Sequence, residues 1–106
     1  MIDWNRVEEL RDEVGSDDFE EVVELFLEEV DEAITRMQTQ PDDSRLEQDL
    51  HFLKGSSLNL GFAAFSTLCF EGETAARQGK TERIDLPKIF NSYAESRAEF
   101  LRRTAA

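Results

Sequence analysis

The sequence predicts an all-α protein, an antiparallel up-down-up-down four-helix bundle with a short extra helix at its N-terminus. Three observations carry this. Leucine and alanine together (20 residues) outnumber isoleucine and valine (9), a bias toward helix. Two prolines and five glycines are too few for an all-β sandwich, which turns about every 8–12 residues. Apolar residues also recur at three- and four-residue spacing in four successive stretches, and four helices of about 17 to 22 residues with short connections pack most simply as a bundle. At 106 residues with 40% apolar content, the chain is expected to be one domain over residues 1–106, with the extra helix at about 1–15 and the bundle at about 17–103.

Each element has its own signals. Asp3 is a candidate N-cap for a first helix running to about Val14, with Val7, Leu10 and Val14 on one face and Gly15 as its stop. Asp17 followed by Glu20 has capping-box form at the start of the second helix. Its stripe is Phe19, Val22, Val23, Phe26, Val30, Ala33, Ile34 and Met37, ending before Pro41. A third helix should begin near Asp42 to Ser44 and run to Leu60, with Leu46, Leu50, Leu53, Ser57 and Leu60 as its inward seam and Gly61 as its end. The fourth, from about Phe62 to Gln78, carries Phe65, Leu68, Cys69, Gly72 and Ala76 inward, and Gly79 closes it. After a turn over Thr81 to Asp85, Asp85 caps the last helix and Pro87 sits in its first turn. Leu86, Ile89, Phe90, Tyr93, Phe100 and Leu101 form the last stripe.

Charge is unevenly placed. Residues 1–50 carry 18 acidic and 4 basic side chains, whereas residues 51–106 carry 6 and 8, within a net charge of −12. Such a field repels nucleic-acid phosphates and anionic membrane surfaces, so neither is an expected partner. The acidic residues of the second helix read either as a solvated face or as a flank that steers a complementary surface. No apolar run approaches the roughly 18 residues of a membrane-spanning helix. Residues 1–20 are acidic rather than a basic-then-apolar leader, so the expected location is cytoplasmic. One cysteine, Cys69, and one histidine, His51, exclude an intramolecular disulfide and a His-rich metal site within one chain. Cys69, on an inward stripe, reads as core.

The third helix holds the informative residues. His51 follows the seam residue Leu50 by one position, about 100° around the helix, which turns its imidazole outward. Gly55 lies at i+4 on the same face. A glycine inside an exposed helix costs ~1 kcal/mol against alanine, and keeping the imidazole uncovered for a second molecule would offset that cost. Lys54 at i+3 adds a positive charge. Neutral imidazole is a nucleophile near pH 7, and a nearby cation offsets charge on phosphoryl oxygens. The three residues together therefore describe a phosphoryl acceptor, which needs mainly positioning and charge neutralisation. Taken singly, each has a plainer reading: a solvated histidine, a helix–helix contact at Gly55, an ordinary surface lysine. Phe52, Leu58 and Phe62 flank His51 without all fitting the seam, as a docking rim or as a core edge.

The run His51-Phe52-Leu53-Lys54-Gly55-Ser56-Ser57, with Gly61 ten residues after the histidine, resembles the signature of histidine-containing phosphotransfer (HPt) domains. The resemblance covers the chain, because that family's fold is a four-helix bundle with the histidine on its second long helix. It implies that His51 carries phosphate on an imidazole nitrogen and exchanges it with aspartates of response-regulator receiver domains, in a multistep two-component phosphorelay fed by a sensor (hybrid) histidine kinase. The family often places a polar side chain about 22 residues after the histidine, hydrogen-bonded to the imidazole. Here that residue is Glu73, where glutamine is commoner. A carboxylate there would accept the Nδ1 proton, fix the tautomer and leave Nε2 as nucleophile, though it would also repel a phosphoryl group that came too near. The plainer reading is a solvated Glu73 paired with Arg77 at i+4. Ser56 and Ser57 read as packing residues.

No GxxxxGK[ST] loop or glycine-rich ATP lid occurs, so the expected protein is a monomeric carrier without its own ATP site or cofactor, and Mg²⁺ is expected to come with the receiver. An alternative of a different class is a non-catalytic helical interaction module, an adaptor or kinase inhibitor. A small hydrolase using His51 and Glu73 is the weaker third reading, because no second nucleophile or oxyanion donor set is evident. The start at Met1 suits a free-standing protein, and an excised domain of a hybrid kinase would read the same.

Overall fold

The computed structural model describes residues 1–104. Helix α1 (Trp4–Val14) leads into α2 (Ser16–Thr39), α3 (Leu46–Leu60), α4 (Ala63–Arg77) and α5 (Leu86–Thr104), with short 3-10 turns at Asp43–Arg45 and Thr81–Arg83. No strand occurs among the described residues. The chain is helical as expected, although α3 and α4, at 15 residues each, are shorter than predicted and α2, at 24, is longer.

The four longer helices close a ring. Arg36 of α2 pairs with buried Asp49 of α3. Between α3 and α4 the backbones pack closely because small residues meet there: a Cβ added at Gly72 would lie 2.8 Å from Leu50 Cδ1. Phe65 of α4 packs on Tyr93 of α5 at 5.2 Å between ring centroids. Tyr93 Oη then donates to Asp31 of α2 at 2.7 Å, and Arg97 donates to the same carboxylate at 3.2 Å. Burial and the Asp31 carboxylate both push the Tyr93 hydroxyl above its ordinary pKa, so it stays a neutral donor. In the α3–α4 and α4–α5 pairs the partners run in opposite order, as Leu50–Gly72 and Lys54–Ser66, and Phe65–Tyr93 and Gly72–Ile89, show. The helices of these two pairs are therefore antiparallel.

Every position of the α3 seam is buried, from Leu46 to Leu60. Asp3 caps α1 through the Arg6 amide, and Asp85 caps α5 through the Lys88 amide at 3.1 Å. Helix α1 lies across one end of the ring: the Asp3 amide donates to the Gly61 carbonyl at 2.7 Å, and Trp4 stacks on Phe100.

Three expectations need correction, and one that was open is decided. The capping box at Asp17 is not formed. The N-cap of α2 lies two residues earlier, at Gly15, which at φ +86° ends α1 and begins α2 at once and has no side chain to cap with. Asp17 and Asp18 instead sit in the first turn, where their charge complements the helix dipole. Leu27, absent from the predicted α2 stripe, is core, while Val22, Phe26 and Ala33 are only half-buried. In α5 the inward positions are Ile89, Tyr93, Ser96 and Phe100, spaced by four, three and four. That phase leaves Leu101, one residue further, exposed. Of the two readings open for Phe62, docking rim or core edge, the second holds: it is fully buried against Tyr93 and Phe100. Gly61 in the left-handed region, φ +78°, breaks the helical phase there and turns the next side chain inward.

Candidate functional site

The α3–α4 hairpin sets the site. Its two helices are joined only through Gly61 and Phe62, and the close approach at Gly72 brings Glu73, the next residue, against the outer face of α3. Ser57 and Ser66 are buried along the same contact, with Ser57 Oγ donating to the Lys54 carbonyl at 3.0 Å. Ser56 is buried as well, as packing residues would be.

Glu73 is 1% exposed, and three side chains converge on its carboxylate. His51 Nδ1 lies 2.9 Å from Oε2, Lys54 Nζ donates to Oε1 at 2.8 Å, and Arg77 donates to Oε2 at 3.3 Å. Arg77 also reaches Glu47 at 3.4 Å. Burial alone would push the Glu73 carboxyl up. Hydrogen bonds from Lys54 and His51, and their charges, outweigh it and hold the group below the usual carboxylate range. The pairing with Arg77 that the sequence offered is thus present, but Glu73 is buried rather than solvated, and it holds His51 as well.

The tautomer follows. An ionised carboxylate only accepts, so the His51 nitrogen facing it carries the proton. In the neutral ring Nε2 keeps its lone pair, on the side away from Glu73. The His51 side chain is 70% exposed, and a Cβ built on Gly55 meets no atom within 4 Å. Gly55 is therefore not a helix–helix contact; it is a bare patch beside the imidazole. Lys54 is only 22% exposed. Its stem crosses the face of Phe70, with Nζ 5.3 Å from the ring centroid, a cation–π geometry.

Around His51 the apolar surface consists of Phe52, Leu58 and Phe70, all exposed. Leu58 stands two turns along α3 on the histidine's face, at i+7. Phe70 was not anticipated from sequence. The available signal was its position off the α4 stripe, one turn before Glu73. Cys69 is fully buried, and burial together with the nearby Glu73 charge pushes its thiol up to about 12, so it is no nucleophile. Among the described residues no group of three His, Cys, Asp or Glu side chains is placed to hold a metal ion, and no helix is long and apolar enough to cross a membrane.

Such a site offers one exposed nucleophilic nitrogen of fixed tautomer, two cations on the carboxylate that holds it, and open space beside Gly55. A family model described as Hpt domain matches residues 21–99, which include all of α3 and α4. Comparison with curated proteins and with solved structures returns no significant match.

Proposed function

This chain belongs to the Hpt domain family, and on that premise we propose that His51 is its phosphorylated residue, passing phosphoryl groups to and from aspartates of response-regulator receiver domains. One observation carries this most: the buried Glu73 carboxylate on His51 Nδ1, which leaves Nε2 exposed beside the bare Gly55.

In the forward step the Nε2 lone pair attacks the phosphorus of a receiver's aspartyl phosphate. The N–P bond forms as the P–O bond to the aspartate breaks, and the carboxylate leaves with that electron pair. The Nδ1 proton stays on the ring. Glu73, already bonded to it, offsets the positive charge that develops on the imidazole. Lys54, and secondarily Arg77, offset charge on the transferring oxygens. Donation to a second receiver is the same path reversed. The divalent metal that such transfers use is assigned to the receiver, and the original phosphoryl source to a sensor kinase, because this chain carries no nucleotide-binding loop. Phe52, Leu58 and Phe70 form the apolar ground on which the receiver seats. A cytoplasmic location and a monomeric carrier fit this role.

The test is direct. Incubated with a ³²P-labelled receiver, the protein should gain acid-labile, base-stable phosphate. His51→Gln, at an exposed position, should keep the helical circular dichroism signal and lose the label. Acid-labile phosphate retained in that variant would overturn the assignment, and no label on the native chain from any receiver tested would favour the non-catalytic interaction module.

A further inference from the structure

Between α2 and α5, across the bundle from the α3–α4 hairpin that carries His51, two grooves run end to end. Their volumes are about 610 and 530 Å³, and they share Glu24, Leu27 and Leu101. The apolar residues they share are Leu27, part of the core, and Leu101, which is open to solvent. The α2 rim is a rail of carboxylates: Glu20 and Glu24 line one groove, and Glu24, Glu28 and Glu32 line the other. At i, i+4 spacing these four stand in one row over about 18 Å, three helical turns, and like charges so placed repel one another.

Among the described residues no ion pair neutralises that row. The arginines at the trough are each committed elsewhere, Arg11 to Glu8, Arg36 to Asp49 and Arg97 to Asp31. A second copy of the chain, at net charge −12, is repelled by it, as are nucleic acid and anionic bilayers. An apolar floor at Leu101 beside an acidic rail of helical period is complementary to one class of ligand. We infer that the α2–α5 trough docks a basic amphipathic helix of a partner protein, with its apolar stripe on Leu101 and its lysines or arginines along Glu20, Glu24, Glu28 and Glu32. This face serves recognition and is separate from the proposed phosphotransfer face. The acidic flank of the sequence is thereby a partner surface rather than only a solvated one.

The probe is an 18-residue leucine–lysine peptide patterned as an amphipathic helix, with a scrambled peptide of equal composition as control. Titrated into the ¹⁵N-labelled full chain, the patterned peptide should shift amides of α2 and α5 and leave those of His51, Phe52 and Phe70 in place. It should bind at least tenfold more tightly than the scrambled one. The double change Glu24→Lys/Glu28→Lys, and separately Leu101→Gln, should each weaken binding at least tenfold. These side chains are exposed, so circular dichroism should be unchanged. His51 labelling by a phosphorylated receiver should persist in Leu101→Gln, which keeps a failure of this proposal distinct from a failure of the phosphotransfer reading. Equal affinity for the scrambled peptide, shifts centred on the His51 face, or a native chain that sediments as a dimer through this trough would each overturn the inference.

Discussion

Replacing Glu73 by alanine separates what that carboxylate does for the fold from what it does for His51. In the native structure it accepts from His51, Lys54 and Arg77 while being 1% exposed. Removing one partner of a fully buried pair costs about 3–5 kcal/mol. Here His51 and Arg77 are more than half exposed and can hydrate, and only Lys54 stays largely covered. The cost should therefore fall to ~2 kcal/mol, a melting-temperature loss on the order of 10 °C for a domain of this size. Transfer loses the hydrogen bond that fixes the tautomer and meets the charge developing on the ring. A hydrogen bond to a charged group contributes about 1.5–3 kcal/mol, and the exposure of His51 puts this one in the lower half. A 10- to 30-fold drop in single-turnover transfer from a saturating phosphorylated receiver is expected, at ~1.36 kcal/mol per decade.

Glu73→Gln is the discriminating partner experiment. Its carbonyl still accepts from Nδ1, so transfer should stay within about threefold of native, although Lys54 loses its ion pair. Because His51 is the sole histidine, its ¹⁵N resonances report the tautomer without ambiguity. Native and Glu73→Gln proteins should show the Nδ1–H form, and Glu73→Ala a mixture. A Glu73→Ala protein that keeps the Nδ1–H form and transfers at the native rate would refute the positioning role, whatever happened to its stability.

Gly55→Ala should stabilise α3 by up to ~1 kcal/mol, since the added Cβ meets nothing, whereas Gly55→Gln should block the receiver; native transfer rates in the glutamine variant would remove the access argument. Lys54→Ala should slow transfer about tenfold or more, ~1.4 kcal/mol, with little change in affinity for the unphosphorylated receiver, and Lys54→Arg should recover part of the loss. Weaker receiver binding with unchanged bound-state transfer would make Lys54 a docking residue instead. For pH dependence, the folded-state pKa of Glu73 lies below its ordinary value. Its stabilisation is therefore fully present above the ordinary carboxylate range of about 4.3 and is lost as pH falls through the folded value. Thermal melts of native protein and Glu73→Gln should converge as pH drops through that window, and a constant gap between them would contradict the assignment. Cys69 should resist thiol reagents at pH 8 in the folded state and react once denatured, because its thiol is buried and pushed up to about 12.

The α3 seam was legible because a helix with one buried face repeats its apolar residues at the helical period, and nothing between Leu46 and Leu60 disturbs that phase. The outward turn of His51 and the open flank at Gly55 follow from the same phase. What periodicity cannot supply is register between helices. The contact of His51 with Glu73 spans 22 positions across a hairpin. It came into view only through the resemblance to a family, because it depends on how closely α3 and α4 approach at Gly72. Phase also fails where the backbone leaves the helix. Phe62 stayed ambiguous between rim and core edge because the left-handed turn at Gly61 resets the direction of the following side chain. The capping box failed for a related reason: residue types at Asp17 and Glu20 match the motif, but the single-residue link at Gly15 puts the cap on a residue with no side chain to cap with.

The fold also bears on a conflict that the composition poses for the proposed function, a carrier of dianionic phosphoryl groups with a net charge of −12. Charge in water is felt over roughly 8–10 Å at physiological salt, so the groups that decide are those around His51. These are Glu73 and Glu47 against Lys54 and Arg77, joined in one chain of ion pairs. That cluster sums to zero. The glutamate is turned inward beneath the ring, and Lys54 covers it. A phosphoryl group arriving at Nε2 from outside therefore meets the imidazole and the ammonium before it meets the carboxylate. This answers the objection that a glutamate at this position would repel the phosphoryl group. The same carboxylate that would repel from the surface instead bonds the histidine from below, and the largest share of the remaining acidity lies on α2, where a different partner can use it.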